Sequence, residues 1–203
     1  MAWKYAVSAG LLVAALLGGL GYFILADRGD ARFAHCRETA IAGALGGPFE
    51  LVDHTGRTVT DTDLIVRPTL IYFGYTFCPD VCPWDAARNA LVVDILAERG
   101  LSAQPVFISV DPGRDTPEVL ARFAGNIHPE MIGLTGTDDQ VRAASQAYRT
   151  FFQRHDDGEE FYLVDHSTFS YLALPGHGVV EVFRRSQSAE EIADSMACFI
   201  GAA

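Results

Sequence analysis

The chain has 203 residues and a formal net charge of −11, with 26 acidic against 15 basic side chains. Because a protein that binds nucleic acid needs a basic face for the phosphates, this balance excludes nucleic acid as a partner. Apolar residues make up 49% of the chain and charged residues only 20%, which excludes intrinsic disorder and provides material for a core. Four cysteines are too few for a small disulfide scaffold, so their positions matter more than their number.

Residues 5–26 form an uncharged apolar run that follows a single charged side chain, Lys4. As a helix, this run would measure roughly 33 Å, which is enough to cross a bilayer. It is longer than the core of a secretory signal and is followed by a poor cleavage site, which favours an uncleaved anchor over a cleaved signal. The start is too short for an organelle transit peptide. We therefore expect a single-pass protein of the bacterial inner (cytoplasmic) membrane, with residues 1–26 as the anchor and its acidic domain facing the periplasm.

Residues 27–46 are expected to form a juxtamembrane tether, and residues 47–203 a domain in which strands alternate with helices. A hairpin is predicted around the turn at 54–56, followed by a strand over 69–73, a helix over 84–99 and a strand over 105–110. A helix begins at Thr116-Pro117, a strand covers 131–134, and the next helix runs from 138 to 151. Strands follow over 161–164, 169–174 and 179–183, and Ser188 caps a last helix. This order predicts an α/β domain whose mixed central sheet is flanked by helices on both faces.

Two cysteines, Cys78 and Cys82, lie between a buried strand and the helix that follows it. Because proline is tolerated only in the first helical turn, Pro79 and Pro83 require the helix to begin between them. Cys78 is then in the loop and Cys82 in or at the first turn, where free amides and the helix dipole stabilise thiolates. The pair can form a disulfide or bind a soft metal, and the alternative is a pair that is packed or statically bridged.

The C-x3-C spacing differs from the C-x2-C of common dithiol redox motifs, and the looser loop favours a metal site. Two thiolates do not complete a tetrahedral zinc site. Cys36 lies near the tether, and Cys198 is expected to be a small buried residue on the last helix. His166, between two predicted strands, is the favoured third ligand. Two sulfurs and one imidazole form a soft set that suits copper, as Cu(I) or Cu(II).

Several motifs together resemble the Sco/SenC family. They are Gly47-Pro48-Phe49, Phe73-Gly74-Tyr75-Thr76, Cys78-Pro79-Asp80-Val81-Cys82-Pro83, Phe107-Ile108-Ser109-Val110-Asp111-Pro112, Arg114-Asp115-Thr116, Gly133-Leu134-Thr135-Gly136 and Asp165-His166-Ser167. The resemblance implies a membrane-anchored, thioredoxin-like domain that binds one copper ion and helps to assemble the binuclear copper centre of cytochrome c oxidase. It places the copper ligands at Cys78, Cys82 and His166. The implied partners are the copper-site subunit of the oxidase, other copper carriers and thioredoxin-like reductants.

Some residues are not explained by this resemblance. Four of them match no family motif and have no assigned role, namely His35, Cys36, Cys198 and His177. Asp165 is expected either to orient His166 or simply to end a strand. Asp111 is a candidate for facing the site, and Arg114-Asp115 is expected to fix the loop before the helix at Thr116.

The residues alone leave the function open between classes. The main interpretation is a copper metallochaperone, which binds and transfers the ion without turnover chemistry. The alternative is a thiol-disulfide oxidoreductase that uses Cys78 and Cys82 as its catalytic pair to reduce the cysteines of the oxidase copper site. The paired cysteines argue against a peroxidase, which needs one peroxidatic cysteine and an activating arginine. A redox or copper sensor remains a further alternative.

Overall fold

A computed structural model of the chain describes residues 17–19, 31–38, 45–155 and 162–203. The chain divides into two compact units, Met1–His35 and Cys36–Ala203. In the first unit, residues 17–19 are helical and Ala31–Phe33 form a short 3-10 helix. No helix within the described ranges is both long and apolar enough to span a membrane. The membrane span predicted over residues 5–26 lies outside the described residues, apart from 17–19.

The second unit is built on a mixed sheet with helices around it. Its described residues form strands β1 Glu50–Asp53, β2 Thr58–Thr60, β3 Thr69–Gly74, β4 Gln104–Ser109, β5 Ile132–Thr135, β6 Phe152–Arg154, β7 Val164–His166, β8 Ser170–Leu174 and β9 Gly178–Phe183. Its helices are α1 Asp61–Leu64, α2 Val81–Glu98, α3 Pro117–Ile127, α4 Asp138–Ala147 and α5 Ala189–Ala202. The predicted α/β class with a mixed sheet is confirmed.

Seven strands pair in the order β2-β1-β5-β4-β3-β8-β9, and β6 and β7 form a separate two-stranded sheet. Strand β4 is parallel to both β3 and β5, whereas the remaining neighbours are antiparallel. All six residues of β3 and all six of β4 are buried, as expected for central strands covered on both faces. The carboxyl end of β3 lies beside that of its parallel neighbour β4, and open α/β sheets bind ligands at the carboxyl ends of their strands.

Side-chain caps at the helix starts match the sequence. Thr116 caps α3 with Pro117 at its first position, and Ser188 and Glu191 form a capping box at α5. The helix predicted over 138–151 instead ends at Ala147. Arg149 has a φ of +50°, and the amides of Arg149 and Thr150 donate to Gln146 and Ser145 in a Schellman motif. This turn redirects the chain into β6, a strand that the sequence did not predict.

Cys36 and Cys198 form a disulfide, with their Cα atoms 5.7 Å apart. The expectation that Cys198 is a lone buried residue was therefore wrong. The bond attaches the beginning of the second unit to α5, and the Glu38 amide donates to Glu181 Oε2 at 2.8 Å beside it. Cys78 and Cys82 are the free cysteines.

Candidate metal centre

The cysteine loop follows directly from the carboxyl end of β3. Cys78 lies in this loop and Cys82 in the first turn of α2, as the positions of the prolines predicted. The Cys82 amide donates to Cys78 Sγ at 3.4 Å, so a free amide of the helix start contacts the outer sulfur. Both side chains are buried, Cys82 completely.

Gly74 allows the Cys82 sulfur to lie against the end of β3. A Cβ atom at this position would lie 3.0 Å from Cys82 Sγ, 3.0 Å from Phe107 Cε2 and 2.8 Å from Tyr72 Cε1. Since distances this short force neighbouring atoms to move, only glycine fits without displacing the sulfur.

His166 ends β7 and reaches the cysteines from the two-stranded sheet. Its Nε2 atom lies 3.1 Å from Cys82 Sγ. Its Nδ1 atom lies 3.0 Å from the carbonyl oxygen of Ser167. Because a carbonyl only accepts, Nδ1 carries a proton, and Nε2 is the ring nitrogen that faces the sulfur. The two sulfurs and an imidazole nitrogen of His166 all lie within 4.8 Å of one another.

Two tyrosines flank the imidazole. The rings of Tyr72 and Tyr75 meet the His166 ring edge-on, with centroids 6.1 Å and 5.8 Å away. Edge-to-face contacts of this kind are favourable and directional, so they restrict the rotation of the imidazole. The ring is therefore held with Nε2 facing the sulfurs.

The pKa values of the two cysteines are shifted in opposite directions. The hydrogen bond from Cys82 lowers the pKa of Cys78 to about 4, against the effect of burial and with help from the amides at the helix start. The bond to Cys78 and then burial raise the pKa of Cys82 well above its ordinary range. At neutral pH the pair is thus a Cys78 thiolate that accepts a hydrogen bond from the Cys82 thiol.

A buried polar network behind Cys82 was not predicted from the sequence. The Tyr72 hydroxyl donates to Asp85 Oδ2 at 3.0 Å, and Arg88 Nη1 lies 3.5 Å from Asp85 Oδ1. Burial raises the pKa of Asp85, while Arg88 and the tyrosine act in the opposite direction. The position of Asp85, three residues after Cys82 on the same helix, was the available signal, since residues three apart share a helix face.

Two of the acidic candidates have other partners. Asp165 is exposed and pairs with His155 Nε2 at 2.7 Å, so the Ser167 carbonyl, not Asp165, orients His166. Asp111 is buried but accepts hydrogen bonds from Arg114 and Tyr162. His177 lies in the turn between β8 and β9, where its amide donates to Leu174.

Comparisons with known proteins identify the family of the chain. Residues 37–201 match the profile of the family described as SCO1/SenC. Protein SenC of Rhodobacter capsulatus is 48% identical over 199 residues, which cover 97% of this chain and 90% of that protein. The crystal structure of Arabidopsis thaliana ScoI with copper bound is 36% identical, covers 75% of this chain and 96% of that one, and superposes with a TM-score of 0.72. Yeast Sco1 with copper bound is 38% identical, with 76% and 87% coverage and a TM-score of 0.71. On the strength of this matched length and identity, the chain belongs to the SCO1/SenC family and has its thioredoxin-like fold.

Proposed function

We propose that this protein binds one copper ion through Cys78 Sγ, Cys82 Sγ and His166 Nε2. The observation that carries the proposal is the convergence of these three donors within 4.8 Å, from a helix start and a separate hairpin. Two thiolates and one imidazole suit Cu(I) in trigonal geometry, and Cu(II) with a further light donor. The relatives from Arabidopsis and yeast, described with copper bound, support the choice of metal.

Each of the three residues has a distinct part in uptake of the ion. Cys78 is already a thiolate at neutral pH, and His166 contributes Nε2. Cys82 must lose its proton when the ion binds, because only a thiolate is a strong ligand. Uptake therefore releases a proton, and we expect affinity to fall at low pH as the sulfurs and the imidazole become protonated.

The ion is proposed to be delivered to the copper-site subunit of cytochrome c oxidase during assembly of its binuclear centre. This step follows from the resemblance to the Sco/SenC family. Thiolates of the partner replace the ligands one at a time through shared three-coordinate states, because soft, low-coordinate copper exchanges ligands readily. A membrane anchor at residues 1–26 and a periplasmic domain are part of the proposal, and the Cys36–Cys198 disulfide supports an oxidising compartment.

A thiol-disulfide oxidoreductase is the second candidate, favoured by the low pKa of Cys78 beside a second thiol. In that reaction the Cys78 thiolate attacks a disulfide of the oxidase copper site and forms a mixed disulfide. Cys82, after losing its proton, attacks Cys78 Sγ and releases the target as a dithiol. The chain is left with a Cys78–Cys82 disulfide, which a thioredoxin-like reductant must reduce.

Anaerobic titration of the full chain with Cu(I), with Cys78 and Cys82 reduced and the Cys36–Cys198 disulfide intact, tests the proposal and separates the two candidates. We expect one ion per chain, and we expect His166→Ala to weaken binding at least about tenfold while sparing disulfide exchange. His155→Ala is the matched control, since this histidine is on the same hairpin but pairs with Asp165. Absence of copper binding by the parent, or unchanged binding by His166→Ala, would refute the proposed ligand set.

A further inference from the structure

The loop between β4 and α3, residues 110–116, contacts both segments that supply the proposed ligands. On the cysteine side, the buried Asp115 carboxylate accepts hydrogen bonds from the Thr76 amide at 3.0 Å and the Thr76 hydroxyl at 2.5 Å. Ser109 Oγ donates to the same carboxylate at 2.6 Å. Asp115 thus attaches the segment before Cys78 to the end of β4.

On the histidine side, the loop contacts Tyr162, which precedes β7. Arg114 Nη1 donates to the Tyr162 carbonyl at 3.0 Å, and its guanidinium lies 3.6 Å from the centroid of the Tyr162 ring. The Tyr162 hydroxyl donates to Asp111 Oδ1 at 2.8 Å, and Arg114 Nε donates to Asp111 Oδ2. Arg154 of β6 also pairs with the buried Asp111, at 3.3 Å.

Arg114 contacts the cysteine loop as well. Its guanidinium lies 4.9 Å from the ring centroid of Phe77 and 5.7 Å from that of Tyr75, the two aromatic residues that precede Cys78 in that loop. A guanidinium within about 6 Å of a ring is attracted to its face, and the attraction grows when water is excluded. Arg114 is mostly buried, so one side chain joins the cysteine loop to the histidine hairpin.

Among the described residues, β6 and β7 pair with each other and with no strand of the seven-stranded sheet, so side-chain contacts must connect the hairpin to the cysteine loop. We propose that Arg114 is a positioning residue that holds the β6–β7 hairpin, and with it His166, within bonding distance of Cys78 and Cys82. This inference rests on the proposed function for its effect on copper. Its effect on the hairpin is independent of any metal.

Hydrogen exchange of the metal-free protein tests the effect on the hairpin. In the parent, the Ser167 amide donates to the Phe151 carbonyl at 2.9 Å, and its exchange reports closure of the hairpin. We expect Arg114→Ala to accelerate exchange of this amide at least about tenfold while the amides of β3 remain unchanged. Tyr162→Leu removes the ring contact with Arg114 and the hydroxyl bond to Asp111, and it serves as a second variant if Arg114→Ala does not fold.

Arg67→Ala is the matched control. Arg67 also donates to two segments, through Gln104 and Glu130, but it precedes the amino end of β3, away from the cysteines. It should leave exchange of the Ser167 amide unchanged. Equal acceleration in Arg67→Ala and Arg114→Ala would mean a general loss of stability and would overturn the inference.

Copper affinity provides the second measurement. We expect Arg114→Ala to lower affinity about 10- to 100-fold and to weaken the spectroscopic signature of the nitrogen ligand. If Arg114 acts through His166, Arg114→Ala should have no further effect in a His166→Ala background. Additive losses in the double variant, or parental hairpin exchange in Arg114→Ala, would overturn the proposal. If the parent binds no copper, the proposed function fails, and the exchange measurement alone decides the role of Arg114.

Discussion

Replacing Cys36 and Cys198 by serine removes a disulfide that closes most of the chain into one loop. The two residues are 162 positions apart. Closing a loop of this length lowers the entropy of the unfolded chain by an amount equivalent to about 5 kcal/mol at 25 °C in the chain-entropy account. The folded variant also gains conformational entropy because its chain ends are no longer linked, and this gain offsets part of the loss. We expect a net loss of about 4 kcal/mol in the free energy of unfolding.

Guanidinium unfolding, followed by circular dichroism, measures this loss. Both proteins should carry Cys78→Ser and Cys82→Ser, so that no other thiol can pair with Cys36 or Cys198. A difference of about 4 kcal/mol corresponds to a fall of roughly 8–16 °C in Tm for a chain of this size. The unfolded variant and parent should also differ in compactness, which a change in the m-value would register.

Dithiothreitol is the internal control for this experiment. It should lower the stability of the disulfide-containing protein to that of the serine variant, and it should leave the variant unchanged. A stability difference below about 1 kcal/mol would show that the disulfide contributes far less than the loop length implies. Insensitivity of the parent to reductant, with two titratable thiols in the denatured parent, would refute the pairing itself.

Three other changes test separate parts of the structure. Although burial raises the pKa of Asp53, hydrogen bonds from the following turn hold it at about 2, below the ordinary 3.8. The lowered pKa contributes about 2 kcal/mol to the free energy of unfolding above pH 4, and this contribution is lost as pH falls through 2. Asp53→Asn should lose the same stability at pH 7. A stability difference between parent and variant that does not change with pH would contradict this. Alkylation of the reduced protein can be mapped by mass spectrometry over a range of pH. As pH is lowered, the rate at Cys78 should decrease only near its pKa of about 4. A decrease near pH 8 would disprove the thiolate. Gly74→Ala should destabilise the fold by about 1–3 kcal/mol and weaken copper binding, because the new Cβ displaces Cys82. Gly113→Ala should do neither, since its Cβ would lie 4.0 Å from the nearest atom. Equal effects of the two substitutions would rule out the steric argument.

The sequence predicted the elements whose patterns are local. The apolar run of β3, the two prolines at the start of α2 and the capping box at Ser188 each depend on neighbouring residues, and each lies where expected. The end of α4 was missed because it depends on the positive φ of Arg149. Glycine is the residue that usually marks such a position in a sequence, and an arginine gives no such signal. Strand β6 has three residues and no alternating pattern, so nothing in the sequence separated it from the preceding helix.

The site shows the same division between local and distant information. The loop and helix positions of Cys78 and Cys82 follow from short-range rules. The sequence favoured His166 as the third ligand because of its place between two predicted strands, and the family resemblance pointed to the same residue, although it lies 84 positions from Cys82. Its orienting partner could not be read from the sequence, since the acceptor is the backbone carbonyl of Ser167, an atom that every residue has. The Cys36–Cys198 bond was missed for a related reason, because spacing alone cannot pair cysteines so far apart.

The unequal depth of the two sulfurs has a consequence for the proposed transfer of copper. Cys82 exposes none of its surface and Cys78 about a tenth, so an incoming group from solvent meets Cys78 before it can reach Cys82. Under that proposal, a recipient would bond to the ion from the side of Cys78, and Cys82 would be the last of the two sulfurs to dissociate. The ion would then stay bonded to the buried sulfur until the recipient had bound it, and it would not be released into bulk water.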